Sequence, residues 1–226
     1  MGAPTPGPND FDRARTLWFA LLLTIANGFM DAHTFYVRAA SSPTSRPATS
    51  SSSPSTSPNA AAMAHVWPIL AFMVGVSLAA HIKSGRVERI VPHPLRWTMT
   101  VQVVALVAIG FVPVTVAHSY VTVPIAFLAA LQMGLFRNVG DLAYLPVATT
   151  GNLMRFVESG YDGFVEGQRA PRRACGIYGA LILAFAGGAL IGAFASRAWS
   201  AHAIWLAAVI LAVTLVLFIV DERVMR

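Results

Sequence analysis

Residues 174–195 read ACGIYGALILAFAGGALIGAFA, and residues 201–220 read AHAIWLAAVILAVTLVLFIV. Neither stretch holds an Asp, Glu, Lys or Arg. Each matches the roughly 20 apolar residues a helix needs to cross a bilayer's hydrocarbon. Period-two alternation is absent, and backbone groups in lipid must be satisfied within their own segment, so the stretches read as helices and not barrel strands. Working outward, four more apolar runs appear at Thr16–Val37, Met63–Ile82, Trp97–Ala117 and the shorter Val121–Phe136, which stops at Arg137. The first run opens as a signal peptide does, but five further runs follow it and no cleavage site stands out, so it reads as a retained span.

Six spans use about 120 residues of a 226-residue chain that is 56% apolar and only 12% charged, with mean hydropathy +0.62. An ordinary soluble domain is about 25% charged. These figures exclude a soluble single domain, and they exclude disorder over most of the chain. The expected fold class is all-α: a polytopic membrane helix bundle of about six transmembrane helices in a 3+3 inverted repeat. Its divisions are a cytoplasmic tail at 1–15, a three-helix half at 16–118, a second at 119–220 and a tail at 221–226.

Orientation follows from the bases. Arg13, Arg15, Lys83, Arg86, Arg89, Arg96, Arg137, Arg155, Arg169, Arg172, Arg173, Arg223 and Arg226 fall on one side, and only Arg38, Arg46 and Arg197 on the other. The positive-inside rule then makes both termini cytoplasmic in a multi-pass inner-membrane protein. The net charge of +6 reflects these flanking bases and does not imply a nucleic-acid partner. The clusters at 83–89 and 169–173 read as topology determinants touching anionic headgroups. The single cysteine, Cys175, excludes an intrachain disulfide and a cysteine-based zinc site. The six histidines lack ligand spacing. No HExxH, P-loop, dinucleotide or nucleophile-elbow motif occurs, so neither enzyme chemistry, a metal nor a cofactor is expected.

The halves resemble each other. Leu70-Ala71-Phe72 aligns with Leu183-Ala184-Phe185, which carries Gly75 onto Gly188 and Ala79 onto Gly192. Gly28 aligns with Gly134, and Asp31 with Arg137. Inverted repeats recur in transporters with the site at the repeat interface. Small residues recur every fourth position at Gly176, Ala180, Ala184, Gly188, Gly192 and Ser196. Gly75, Gly188 and Gly192 are therefore expected to pack helices closely, through spans two and five crossing in one protomer, with a homodimer seam as the alternative.

Polar groups inside the apolar runs and in the stretch that follows the fourth define the expected substrate or ion pathway: Asn27, Asp31, Gln132, Arg137, Asn138, Thr150 and Asn152. Asn27 and Asp31 share a helix face. Arg137, equivalent to Asp31 in the repeat, is its expected ion-pair partner. Thr149-Thr150-Gly151-Asn152 suits backbone that leaves helical geometry. The apolar character of 142–147 favours a re-entrant segment there over a plain cytoplasmic loop.

Gly28-Phe29-Met30-Asp31-Ala32, Leu131-Gln132-Met133-Gly134 through Arg137-Asn138, and Thr149-Thr150-Gly151-Asn152-Leu153 resemble the YoaK-type family of bacterial inner-membrane proteins, built on one domain of unknown function. The resemblance covers about residues 16–220 and implies a polytopic protein of about six spans. It supplies no activity, substrate or catalytic residue. The family carries a second Thr-Gly-Asn soon after the first span. Here that place falls in Ser41–Pro58, where sixteen of eighteen residues are Ser, Thr or Pro. Such a segment is expected to be disordered, and it is either a lineage-specific linker or a frameshift in the gene model. The expected function is transport or carriage of a small solute of unknown identity, with the lipid bilayer as the surrounding partner. The alternative is a non-transporting scaffold or partner-binding subunit. A reporter fused after Arg226 should read cytoplasmic and one inserted near Ser52 external; opposite labelling at both would overturn the orientation.

Overall fold

The computed structural model describes residues 16–41, 58–84, 87, 93–113, 119–147 and 149–224. Among these residues the chain is all-α apart from one two-stranded hairpin. Six long helices are α1 (Leu17–Ser41), α2 (Pro58–Lys83), α3 (Pro94–Gly110), α4 (Ser119–Leu135), α6 (Arg169–Trp199) and α7 (Ile204–Val224). Between α4 and α6 lie β1 (Asn138–Val139), β2 (Leu142–Ala143) and a short α5 (Thr149–Gly160) that continues as a π turn, Tyr161–Val165. The tails at 1–15 and 225–226, and all of the Ser/Thr/Pro segment between Ser41 and Pro58, lie outside the described residues.

The helices arise where the apolar runs predict them, with shifted ends. Among the described residues, Val66–Lys83 and the stretch Arg169–Asp221 are long and apolar enough to cross a membrane, and Pro94–Gly110 and Tyr120–Leu135 are shorter apolar helices. The second long stretch is two helices. Ser200 adopts φ 50, ψ −125, which ends α6, and one 3-10 turn, Ser200–Ala203, leads into α7. The third span ends early, at Gly110, because Phe111 and Val112 turn their N–H groups back to Ala108 and Ile109.

Helix pairing departs from the expected crossing of spans two and five. α6 packs most extensively on α1, and α2 on α4. The physical reason lies in the glycines. A Cβ at Gly188 would strike the carbonyl of Ile25, one at Gly192 would lie 2.6 Å from the carbonyl oxygen of Phe29, and one at Gly28 would strike that of Phe185. On the other pair, a Cβ at Gly75 would lie 2.7 Å from the carbonyl oxygen of Phe127, and one at Gly134 would strike Ala79. Each small stripe thus fits a glycine-bearing helix of the same kind, not the other stripe. Ile25, Phe29 and His33 meet Gly188, Gly192 and Ser196 in constant step, so α1 and α6 run parallel. α2 and α4 do likewise, through Gly75 against Leu131 and Ala79 against Gly134.

The core closes around these pairs. Phe19 of α1 meets Phe136 at the end of α4, centroids 5.1 Å apart, and Phe218 near the end of α7 at 5.5 Å. At the other end, the Trp205 indole lies over Gly110 and donates to the carbonyl of Val107 at 3.1 Å, fixing the start of α7 on the end of α3. Gly188→Ala should lower stability by about 1–3 kcal/mol, since the added methyl has nowhere to go. Gly187→Ala, one residue away in open space, should be neutral or add about 0.5–1 kcal/mol from helix propensity. Thermal melting of the two variants in the same detergent checks this; equal melting would show that the α1–α6 contact is looser than described.

Candidate functional site

Three helices each bring one buried carboxamide to a common point. Asn27 of α1, Gln132 of α4 and Gln102 of α3 are 3%, 1% and 0% exposed. Asn27 Nδ2 donates to Gln132 Oε1 at 2.7 Å, and Gln132 Nε2 donates to Gln102 Oε1 at 2.8 Å. One backbone group fixes the direction of the whole relay. Asn27 Nδ2 also donates to the carbonyl of Leu23 at 2.8 Å, and a carbonyl can only accept. Gln132 must therefore present its oxygen to Asn27 and its nitrogen to Gln102. Gln102 then keeps its own Nε2 unused, and that buried donor has no partner among the described residues. An unmet buried donor costs about 1–3 kcal/mol, and in the relay that donor is Gln102 Nε2.

Asn27 and Gln132 are two of the seven expected pathway residues. Gln102 completes the relay, and the sequence offered a signal for it: it is a carboxamide inside a run without charges.

The other five expected pathway residues lie elsewhere. Asp31 and Arg137 are both exposed, and among the described residues no ion pair joins them, contrary to the sequence expectation. Phe136 places Arg137 at the level of Phe19, and Asp31 stands a further 12 residues up α1, about 18 Å at 1.5 Å per residue. Asn138 is half-buried in β1 and Thr150 is exposed. Asn152 is a clamp: its Oδ1 accepts from Leu145 N–H at 3.0 Å and its Nδ2 donates to the Leu145 carbonyl at 2.8 Å. Thr149-Thr150-Gly151-Asn152 is therefore the first turn of α5 and not irregular backbone; the asparagine amide holds the preceding chain instead of breaking the helix.

That chain is a hairpin the sequence reading missed. Asn138 pairs with Ala143 and Val139 with Leu142 around Gly140-Asp141. Gly140 has φ 55, which glycine supplies without a Cβ clash; Gly-Asp between two short segments is the hairpin signal. The Ala143 carbonyl accepts from the Tyr178 hydroxyl at 2.9 Å and from the Arg155 guanidinium. Tyr144 is buried among Ala20, Tyr178 and Leu181. Burial holds its phenol above the ordinary tyrosine range, so it remains a donor, and its hydroxyl has no partner among the described residues. Asp141, Arg155, Glu158, Asp162 and Tyr178 line a cavity of about 510 Å³ between the hairpin, α5 and α6.

A second polar contact ties the same two helices that the glycines bring together. His33 Nδ1 lies 2.8 Å from Ser196 Oγ, with both side chains buried. The Phe29 ring stacks on the imidazole at 6.5 Å. A histidine beside a serine has the residue types of a base and a nucleophile. Here Ser196 is 0% exposed, and the pair acts as a cross-link between α1 and α6.

Residues 19–217 match the family model described as Protein of unknown function (DUF1275). The chain belongs to that family. The match agrees in extent with the YoaK-type resemblance, and both describe a domain of unknown function. No curated protein matches the chain, and no solved structure does. For this DUF1275 member the relay supplies its own test. Gln132→Met should cost about 1–3 kcal/mol, because it leaves the Gln102 oxygen buried and unmet. The triple change Asn27→Leu, Gln102→Met, Gln132→Met should recover most of that loss, since all three polar partners leave together. Melting curves decide, and a triple variant weaker than Gln132→Met would show that the relay has further partners.

Proposed function

We propose that the chain is a six-span inner-membrane protein built as a 3+3 inverted repeat, and that it carries a small solute past the carboxamide relay. The relay is the observation that carries the reading. Polar side chains within membrane spans are costly and mark pathways, and this one joins helices of both halves at Asn27, Gln102 and Gln132. It contains no ionisable group and ends in an unmet donor, which suits an uncharged solute bearing an oxygen acceptor.

Three features support the architecture. The sequence alignment that sets Gly28 on Gly134 and Gly75 on Gly188 also carries Ile25 onto Leu131 and Val76 onto Ala189. These are the neighbours found: Gly188 meets Ile25 and Gly75 meets Leu131, while Gly28 meets Ala189 and Gly134 meets Val76. The pairing of spans one with five and two with four is unchanged when the halves are exchanged. Both pairs run parallel, as spans of equal parity must in a chain that alternates direction. Large apolar side chains such as Met73, Val104, Leu183, Phe194 and Val216 are exposed, an arrangement that suits lipid and not water. With the basic side facing the cytoplasm, both termini are inside. The reading assigns no catalytic step.

The scaffold alternative draws on the closure of the relay, each member of which is 3% exposed or less. The test compares the metabolites of cells lacking the protein, cells with the parent chain and cells with Gln102→Met. Transport predicts a solute whose cellular level depends on the parent and is lost with Gln102→Met at equal protein abundance. Identical profiles in all three would move the assignment to the scaffold.

A further inference from the structure

α5 and its π turn present three distinct faces. The first is covered by α6: Phe156 lies against Gly179, Gly160 against Cys175 and Gly163 against Arg172, so the two segments run antiparallel. The second is polar and turns Arg155, Glu158 and Asp162 to the cavity beside the hairpin. The third carries Leu153, Met154, Val157, Tyr161, Phe164 and Val165, all exposed, with Val157 at 61% and Phe164 at 67%. At 100° per residue these six fall within an arc of about 120°, the width of an apolar stripe that faces a partner.

The register of the helices says where this stripe lies. Ile25 stands beside Gly188 and the two helices run in step, so residues 169–179 of α6 project beyond the start of α1, by about 16 Å along the axis. α5 packs along that projection, at the boundary of the spanning region. Above it, Leu183, Leu190 and Phe194, all exposed, continue at helical spacing the face of α6 that α5 covers at Cys175 and Gly179. Beside the π turn and at the outer end of the projection stand the exposed Arg169, Arg172 and Arg173. Arg172 lies over the Phe164 ring at 5.5 Å and donates to the Gly163 carbonyl at 2.6 Å.

The geometry points to the α5–π segment as an amphipathic interfacial anchor that buries its apolar stripe in the cytoplasmic leaflet and binds the phosphates of anionic phospholipids through Arg169 and Arg173. An amphipathic segment with a wide apolar stripe, a polar opposite face and adjoining arginines is what recognises an anionic membrane surface. Two features favour lipid over a second copy of the chain: the stripe continues a lipid-facing flank, and the charge beside it complements phosphate. The inference rests on the membrane reading above.

The experiment uses the full chain with Cys175→Ala, a spin label on one introduced cysteine at Val157, Phe164 or, as reference, Val213 in α7, and vesicles of phosphatidylcholine with or without phosphatidylglycerol. Accessibility is read to oxygen, which partitions into lipid, and to a polar nickel chelate. All three labels should favour oxygen in phosphatidylglycerol vesicles. Removing that lipid, or combining Arg169→Gln with Arg173→Gln, should raise nickel access at Phe164 by about twofold or more and leave Val213 unchanged. Nickel-favouring labels at Val157 and Phe164 with an oxygen-favouring Val213 would overturn the anchor and leave the membrane reading standing. Poor access to both reagents with spin–spin broadening would assign the stripe to a second copy. Loss of oxygen preference at Val213 would remove both readings together.

Discussion

The structure depends on how closely two backbones can approach. At Gly28, Gly188 and Gly192 the main chains of α1 and α6 touch without intervening side chains, and α2 and α4 repeat the arrangement at Gly75 and Gly134. Where helices meet through small residues, association relies on close van der Waals contact and on polar contacts across the seam. Dispersion falls off steeply with separation, which is why glycine is needed at these points. The other contacts follow from that approach. His33 reaches Ser196 because the seam is tight, and α7 packs beside α1 through Phe19 and Phe218.

The carboxamide relay is the second organising element, and it obeys a stricter rule. In a low-dielectric interior a polar group is stabilising only when its hydrogen bonds are met. Leu23 supplies one acceptor, and the direction of three side chains follows from it, leaving the deficit on Gln102. Such deficits are few in a native core, so each calls for an explanation. The same logic applies at the hairpin, where Arg155 and Tyr178 satisfy the Ala143 carbonyl of β2 and Asn152 that of Leu145 just beyond it.

The cap between α4 and α6 and the bundle beneath it divide the polar chemistry. Among the described residues most charged groups stand at the cap or near helix ends, while the interior relay is neutral. Asp31 and Arg137 show that aligning the two halves in sequence does not bring the aligned residues together. Arg137 belongs to the end marked by Phe19 and Phe136, and Asp31 to the far part of α1.

The sequence by itself determined the helical class, the positions of the long helices and the residue types that matter inside them. Long apolar runs without period-two alternation read as helices, and Asn27 and Gln132 were visible as polar intrusions in such runs. The small stripes at Gly75 and Gly188–Gly192 were visible too, but a stripe says only that a helix can be approached closely, not by which neighbour. Tertiary structure decided that α6 takes α1 and α2 takes α4, because there both helices of each pair place a glycine where a Cβ would clash with the other. It also decided that Gln102 joins the relay, that Asn152 clamps Leu145, and that Asp31 and Arg137 stay apart. Each of these is a distance between residues far apart in the chain, and periodicity along one helix carries no information about the depth or rotation of the helix beside it.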